Sequence, residues 1–253
     1  MLCLPIAISA LLLVTSINVR AATVTIDASV TNQIIDGFGV NANYWHFNSN
    51  ELWPPLDALI DEAGMTLFRV VINNGWEAVN DNDDPDVMNW DYYNAIYNSP
   101  EFEKAWDLIG HLNQKGITNG IILNFQGPGP DWLGGDSLDD GMEAEWAEMV
   151  GSLLVYARNV RNLHFCLVAP NNEPDISGEG ITISSAEQYA LTLHKLAQLL
   201  DTNGLSDIRF VAPDLSSLDL DYLSEMSSDP LVMSKLAHLG SIVIPPAAQD
   251  LRS

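Results

Sequence analysis

The sequence predicts an α/β fold, a TIM (β/α)8 barrel of which about five to six strand–helix units are present. Apolar runs of strand length alternate with amphipathic segments of helical period, an order that implies a parallel sheet. Nearly every apolar run is followed at once by amides, acids or tryptophan. A ring of polar groups at successive strand ends marks the active face of a barrel, whereas an open doubly wound sheet gathers its site at one switch point. The sequence also has no GxGxxG or GxxxxGK[ST] loop to cradle a nucleotide, which removes the usual reason for an open sheet.

The elements follow in order. Ile35 to Gly39 reads as the first strand, followed by Asn41, Asn43 and Trp45. Thr66 to Ile72 is the second, with Asn73, Asn74 and Trp76 after it. Ile117 to Phe125 is the third and carries Asn124, with Gln126 and Trp132 beyond. Leu163 to Ala169 leads into Asn172 and Glu173, and Ile208 to Pro213 into Asp214, while Ser241 to Ile244 offers a sixth strand. Between them the helices carry their own punctuation. Ser99 caps a helix that has Pro100 at its first position, Glu101 and Glu103 in its first turn, and Gly116 at its end. Met142, Trp146, Met149, Val150, Leu153, Leu154 and Ala157 fall on one helical face. Ser184 with Glu187, or Ser185 with Gln188, makes a capping box for a helix that Gly204 closes. Trp106 and Trp146 lie on apolar faces and belong to the core.

Five units from Ile35 to Ser241 average about 41 residues, so eight would need roughly 330. The chain of 253 residues is then the N-terminal part of a barrel catalytic domain, residues 23–253; a fragment, an interrupted reading frame or a misread barrel would each produce that count. Residues 1–22 read as a signal peptide, with an apolar core from Leu2 to Val14 and small or short residues at Val19-Arg20-Ala21. The apolar run is shorter than the roughly 20 residues of a membrane span. The protein is therefore expected to be secreted, with no membrane attachment after cleavage.

Charge excludes a class of partners. Removing residues 1–22 leaves nine basic against 34 acidic side chains, and such a field repels nucleic acid and anionic membranes. The run Asp81-Asn82-Asp83-Asp84-Pro85-Asp86 starts like a calcium loop, but Pro85 stands where a ligand should and no glycine follows, so it reads as a solvated turn. Cys166, inside an apolar run, reads as a buried small hydrophobe. The five histidines lack HExxH or HxH spacing, and no metal or other cofactor is expected.

Asn171-Asn172-Glu173-Pro174 carries the chemistry. A carboxyl group at the mouth of an apolar, partly dry barrel has its ionised form disfavoured, which suits a general acid. Asn172 can donate to a sugar hydroxyl beside the scissile bond, and Pro174 stiffens the turn that aims the carboxyl group. Trp45, Trp76 and Trp132 offer flat faces on which sugar rings stack, or else pack loops. With Asn124 they complete the substrate-binding candidates. Asp131, Asp136, Asp175 and Asp214 read as loop or cap residues, and no nucleophile is assigned.

Asn172-Glu173-Pro174 after the fourth strand, Ile35-Asp36-Gly37-Phe38-Gly39 on the first and Leu67-Phe68-Arg69-Val70 on the second resemble the retaining glycoside hydrolases of clan A, most closely family 30. The similarity runs from about Thr23 to about Leu239. It implies a β-linked polysaccharide substrate, Glu173 as acid/base, Asn172 at the substrate 2-hydroxyl, and Arg69 orienting the nucleophile. That clan's nucleophilic glutamate follows strand seven, for which this chain has no counterpart. A catalytically inactive carbohydrate-binding barrel, or a family 5 cellulase-like enzyme, are the alternatives.

Overall fold

Six parallel strands pair in strict chain order: β1 (Gly39–Asn41), β2 (Leu67–Asn73), β3 (Ile121–Gln126), β4 (Leu167–Ala169), β5 (Arg209–Leu215) and β6 (Leu236–Ser241). The structure is a computed structural model that describes residues 37–46 and 49–241, with Ser29 and Ile35. All of this sheet lies in one compact unit, Asp36–Ser253. The order β1-β2-β3-β4-β5-β6 never reverses, and such an order builds a barrel wall, whereas a doubly wound sheet must switch direction. Among the described residues β1 and β6 each have one neighbour, so the wall is an incomplete TIM barrel.

Helices cover the outer face: α1 (Ser49–Asp61), α2 (Trp90–Tyr97), α3 (Pro100–Gln114), α4 (Glu143–Val155), α5 (Ala186–Thr202), α6 (Leu220–Ser228) and α7 (Pro230–Lys235). Phe68, Val70 and Ile72 of β2 and Ile121, Leu123 and Phe125 of β3 join the helix-side core, all fully buried. With a side-chain period of two, Arg69, Val71, Ile122 and Asn124 then turn to the inner face. The pairing Val71↔Asn124↔Ala169 fixes the height of Asn124 on that face.

Caps form where the sequence places them. Ser99 Oγ accepts from Phe102 N–H with Pro100 in the first turn, and Gly116 takes φ 82° just past the end of α3. Of the two capping boxes, Ser185 with Gln188 is the one used, Ser185 Oγ accepting from Gln188 N–H at 3.3 Å. Gly204 follows α5 at φ 76°. Helix α4 is buried continuously from Trp146 to Val155 and then widens into a π-helical turn, Tyr156–Val160. Trp106 and Trp146 are buried in the core.

Several expectations are corrected. The first strand is Gly39–Asn41 instead of Ile35 to Gly39, because pairing starts where Gly39 lets the chain approach Leu67: a methyl there would sit 2.3 Å from the Leu67 carbonyl oxygen. The third and fourth strands start later than expected, at Ile121 and Leu167. The sixth strand is Leu236–Ser241, before the apolar run; Ile242 to Ile244 lie outside the described residues, as does the signal segment. Cys166 is half-buried, since it precedes the β4 ladder, and burial still pushes its thiol upward. Helix α1 forms through Pro54 and Pro55, where Leu52 and Leu56 bury against the core.

Candidate active site

Arg69 rises from the inner face of β2, and its Nη2 donates to Asn124 Oδ1 at 2.7 Å and to Asn172 Oδ1 at 2.5 Å. The other half of the Asn124 amide donates to Asp214 Oδ2 at 3.1 Å, and that oxygen is 3.9 Å from Arg69 Nη2. One hydrogen-bonded belt thus crosses the ends of β2, β3, β4 and β5. Burial lowers the proton affinity of Arg69 against the pull of Asp214, Glu173 and Glu179, and burial raises that of the Asp214 carboxyl against Arg69 and Asn124. For both partners desolvation outweighs their mutual attraction, as expected for a part-buried pair that is not in direct contact.

Glu173 is 1% exposed and sits in the left-handed region at φ 42°. Its N–H donates to the Asp214 carbonyl at 3.0 Å, and its own carbonyl accepts from Ile176 N–H at 3.1 Å. Asn172 N–H reaches the Phe125 carbonyl at 2.8 Å. Asn171 grips Ile181 twice, Nδ2 donating to the Ile181 carbonyl at 2.5 Å and Oδ1 accepting from Ile181 N–H at 3.1 Å. The Pro174 carbonyl accepts from Ile183 N–H at 2.9 Å. Residues 171–183 therefore fold back on themselves, and Glu173 is held by backbone bonds from both sides. Gly180 permits the fold, since a methyl there would lie 2.1 Å from the Asn172 carbonyl oxygen.

The aromatic candidates take separate places in the fold. Trp45 lies in a single 3-10 turn, Tyr44–His46, edge-on to Tyr44 with ring centroids 5.3 Å apart. Trp76 is half-buried, at 90° to Phe102 and tilted against Phe125. Trp132 is half-buried, and its indole N–H donates to the Glu77 carbonyl at 2.7 Å. Trp76 and Trp132 are thereby joined through the segment after β2, while Trp45 stands apart on the β1 side. Glu173, Asn172, Asn124 and Arg69 are the predicted residues that one network brings together.

Asp214 and Asn171 are the residues that sequence reasoning undervalued. A signal existed for Asp214, because Ala212-Pro213-Asp214 ends a strand as Asn172-Glu173-Pro174 does. The other acids serve the loops: Asp175 accepts from Ser216 N–H at 2.9 Å and from Ser216 Oγ at 2.6 Å, while Asp131 is exposed at the start of a 3-10 turn and the Asp136 carbonyl accepts from Thr182 N–H. Among the described residues no group of three or more His, Cys, Asp or Glu is arranged to hold a metal ion.

No protein-family model matches the sequence, and no curated protein is similar to it at the sequence level. Solved structures do match. The glycoside hydrolase family 30 subfamily 8 xylanase Xyn30A from Clostridium acetobutylicum superposes with a TM-score of 0.60 at 16% identity, over 85% of this chain and 51% of that one. The catalytic domain of the GH30 xylanase C from Talaromyces cellulolyticus gives 0.60 at 19%, over 84% and 54%. An endo-β1,6-glucanase gives 0.59 at 15%, over 85% and 53%. The chain has the fold of these glycoside hydrolases, two of them of family 30, and spans about half their length.

Proposed function

We propose that this chain carries the acid/base half of a secreted O-glycosyl hydrolase that cleaves a β-linked polysaccharide by a retaining two-carboxylate mechanism. The observation that carries the reading is Glu173, buried at the end of β4 beside Asn172, whose amide oxygen is fixed by Arg69. In this reading Glu173 gives its proton to the leaving glycosidic oxygen and later takes one from water. Asn172 contacts the sugar 2-hydroxyl, Asn124 holds Arg69 in place, and Trp45, Trp76 and Trp132 stack on sugar rings. The similar structures include two xylanases and a β1,6-glucanase, which supports a β-glycan without choosing among them. Export rests on residues 1–22.

A retaining mechanism needs a second carboxylate about 5 to 5.5 Å from the first. Asp214 is the other acid of the belt, but its carboxylate is committed to Asn124 and faces Arg69, so it is a supporting residue and the nucleophile is assigned to none of the described residues. That favours a second reading for the 253-residue chain by itself, in which it binds β-glycans without cleaving them. The test is Glu173→Gln in a barrel completed to eight strands. Hydrolysis of natural glycans should fall by about 10² to 10⁴, and much less for an aryl glycoside whose leaving group needs no proton. Equal losses for both substrates would reject the acid role.

A further inference from the structure

Glu173, Pro174, Asp175 and Ile176 form a closed turn, in which Ile176 N–H donates to the Glu173 carbonyl at 3.1 Å. Pro174 takes the second position, where its fixed φ suits such a turn, and Asp175 takes the third. The turn meets the end of β5 at two points, two residues apart on each segment. At the first, Glu173 N–H donates to the Asp214 carbonyl at 3.0 Å. At the second, Asp175 Oδ1 accepts from Ser216 N–H at 2.9 Å and its Oδ2 from Ser216 Oγ at 2.6 Å. Both bonds have the lengths of charge-assisted ones, about 2.7–2.9 Å from N–H and about 2.5–2.7 Å from O–H donors.

The post to which the turn is tied is itself held. Tyr189 of α5 donates its hydroxyl to the Pro213 carbonyl at 3.2 Å, and Ser241 of β6 donates its own to the Leu215 carbonyl at 3.3 Å. Residues 213–215 are thus fixed from α5 and from β6, and Asp175 grips the residue that follows them. A single backbone bond leaves a turn free to pivot about it, and a second grip two residues on removes the pivot. Glu173 needs that restraint, because its φ of 42° is a conformation that persists only where the surroundings over-determine it.

We propose that Asp175 is a positioning residue for Glu173, a role that rests on the reading of Glu173 as the acid: by holding Ser216 through both oxygens it locks the Glu173–Ile176 turn to β5 and so fixes where the Glu173 carboxyl points. A reacting group displaced by about 1 Å loses about 10² in rate, so a turn that pivots would slow proton transfer without removing the substrate's contacts.

The test begins with amide hydrogen exchange of Glu173 in the 253-residue chain, referred to α3 in the same sample. Asp175→Ala removes both bonds to Ser216 and should speed that exchange by about 10 to 10². Asp175→Asn should restore it, since Oδ1 still accepts from Ser216 N–H and the new amide can donate to a hydroxyl that accepts as well as donates. Parental exchange at Glu173 in the alanine variant, or an asparagine variant as fast as the alanine one, would overturn the proposal. If Asp175→Ala does not fold, Ser216→Ala, which removes only the hydroxyl bond, decides: faster exchange at Glu173 supports the role and parental exchange refutes it. In a barrel completed to eight strands, Asp175→Ala should lower kcat on natural glycans by about 10 to 10² with KM nearly unchanged, and Asp175→Asn should recover most of the loss. A loss in KM alone, or none, also overturns the role. The exchange result is independent of what Glu173 does in catalysis, and Glu173→Gln tests that separately, so failure of the acid reading and failure of the positioning role are told apart.

Discussion

The Glu173 N–H donates to the carbonyl of Asp214 at 3.0 Å, and both residues are left-handed, at φ 42° and 56°. Two non-glycine residues in that region are costly, roughly 1 kcal/mol or more each. The neighbouring bonds hold them there: Asn172 to β3, Asn171 to Ile181, and Asn124 to the Asp214 side chain. The strand ends of β4 and β5 are thus coupled by backbone and side chain together, and Asp214 positions both the candidate acid and the arginine beside it.

Asp214→Asn separates these roles. The Asp214 carboxyl has its proton affinity raised by burial despite Arg69 and Asn124, so the group stabilises the fold fully below its ordinary 3.8 and loses that contribution as pH rises through its folded value. An asparagine keeps an oxygen for Asn124 and never ionises. The variant is expected to be at least as stable as the parent at pH 7, with a flatter stability profile above pH 4. Asp214→Ala, which leaves the buried Asn124 amide without an acceptor, should lose about 1–3 kcal/mol. Urea denaturation across pH checks both. An asparagine variant that is markedly less stable at pH 7 would show that the ion pair with Arg69 outweighs desolvation.

Much of the fold was readable because its rules are local. Ser99-Pro100 and Ser185 with Gln188 announce helix starts, and the apolar runs of β2 and β3 announce buried strands. What escaped depends on distant partners. Leu236–Ser241 has exposed and half-buried residues throughout and becomes a strand only by pairing with β5. Pro54 and Pro55 sit inside α1, where the burial of Leu52 and Leu56 sustains the helix. In the candidate site, Glu173 and Asn172 are legible from a motif. The Arg69–Asn124–Asp214 belt was not, because it follows from the register Val71↔Asn124 and from a side chain that reaches across three strands.

Tyr97 gives a prediction for the helix layer. Its hydroxyl is 2.8 Å from Ser152 Oγ, both side chains fully buried, and its ring stacks on Tyr93 and meets Phe102, Trp106 and Tyr156. Tyr97→Phe keeps the ring contacts, and Ser152 can still donate to the Met149 carbonyl at 2.9 Å, so the loss should be about 1 kcal/mol. Tyr97→Ala also empties the ring's volume and should cost about 3–5 kcal/mol. Chemical denaturation of the two variants checks the ratio. Similar losses in both would place the energy in the hydroxyl instead of the packing.

Gly180→Ala probes how tightly the loop after β4 holds the candidate acid. Gly180 does not require a left-handed backbone, so alanine meets only a steric obstacle: its methyl would lie 2.1 Å from the Asn172 carbonyl oxygen and 2.4 Å from Asn171 Oδ1. The first of these is main chain and cannot rotate away. The second belongs to the amide that clamps Ile181, so moving it breaks the 3.1 Å bond from Ile181 N–H. The segment from Ser177 to Ile181 must therefore lift from Asn171 and Asn172, which weakens the contact between Asn172 Nδ2 and the Glu179 carbonyl and loosens the seat of Glu173. Overpacking of this kind costs typically 1–3 kcal/mol. The loss should be local, with amide protection falling at residues 171–183 and unchanged in α3. A variant with parental stability and undisturbed exchange across that segment would show that the turn can relax without moving the candidate acid.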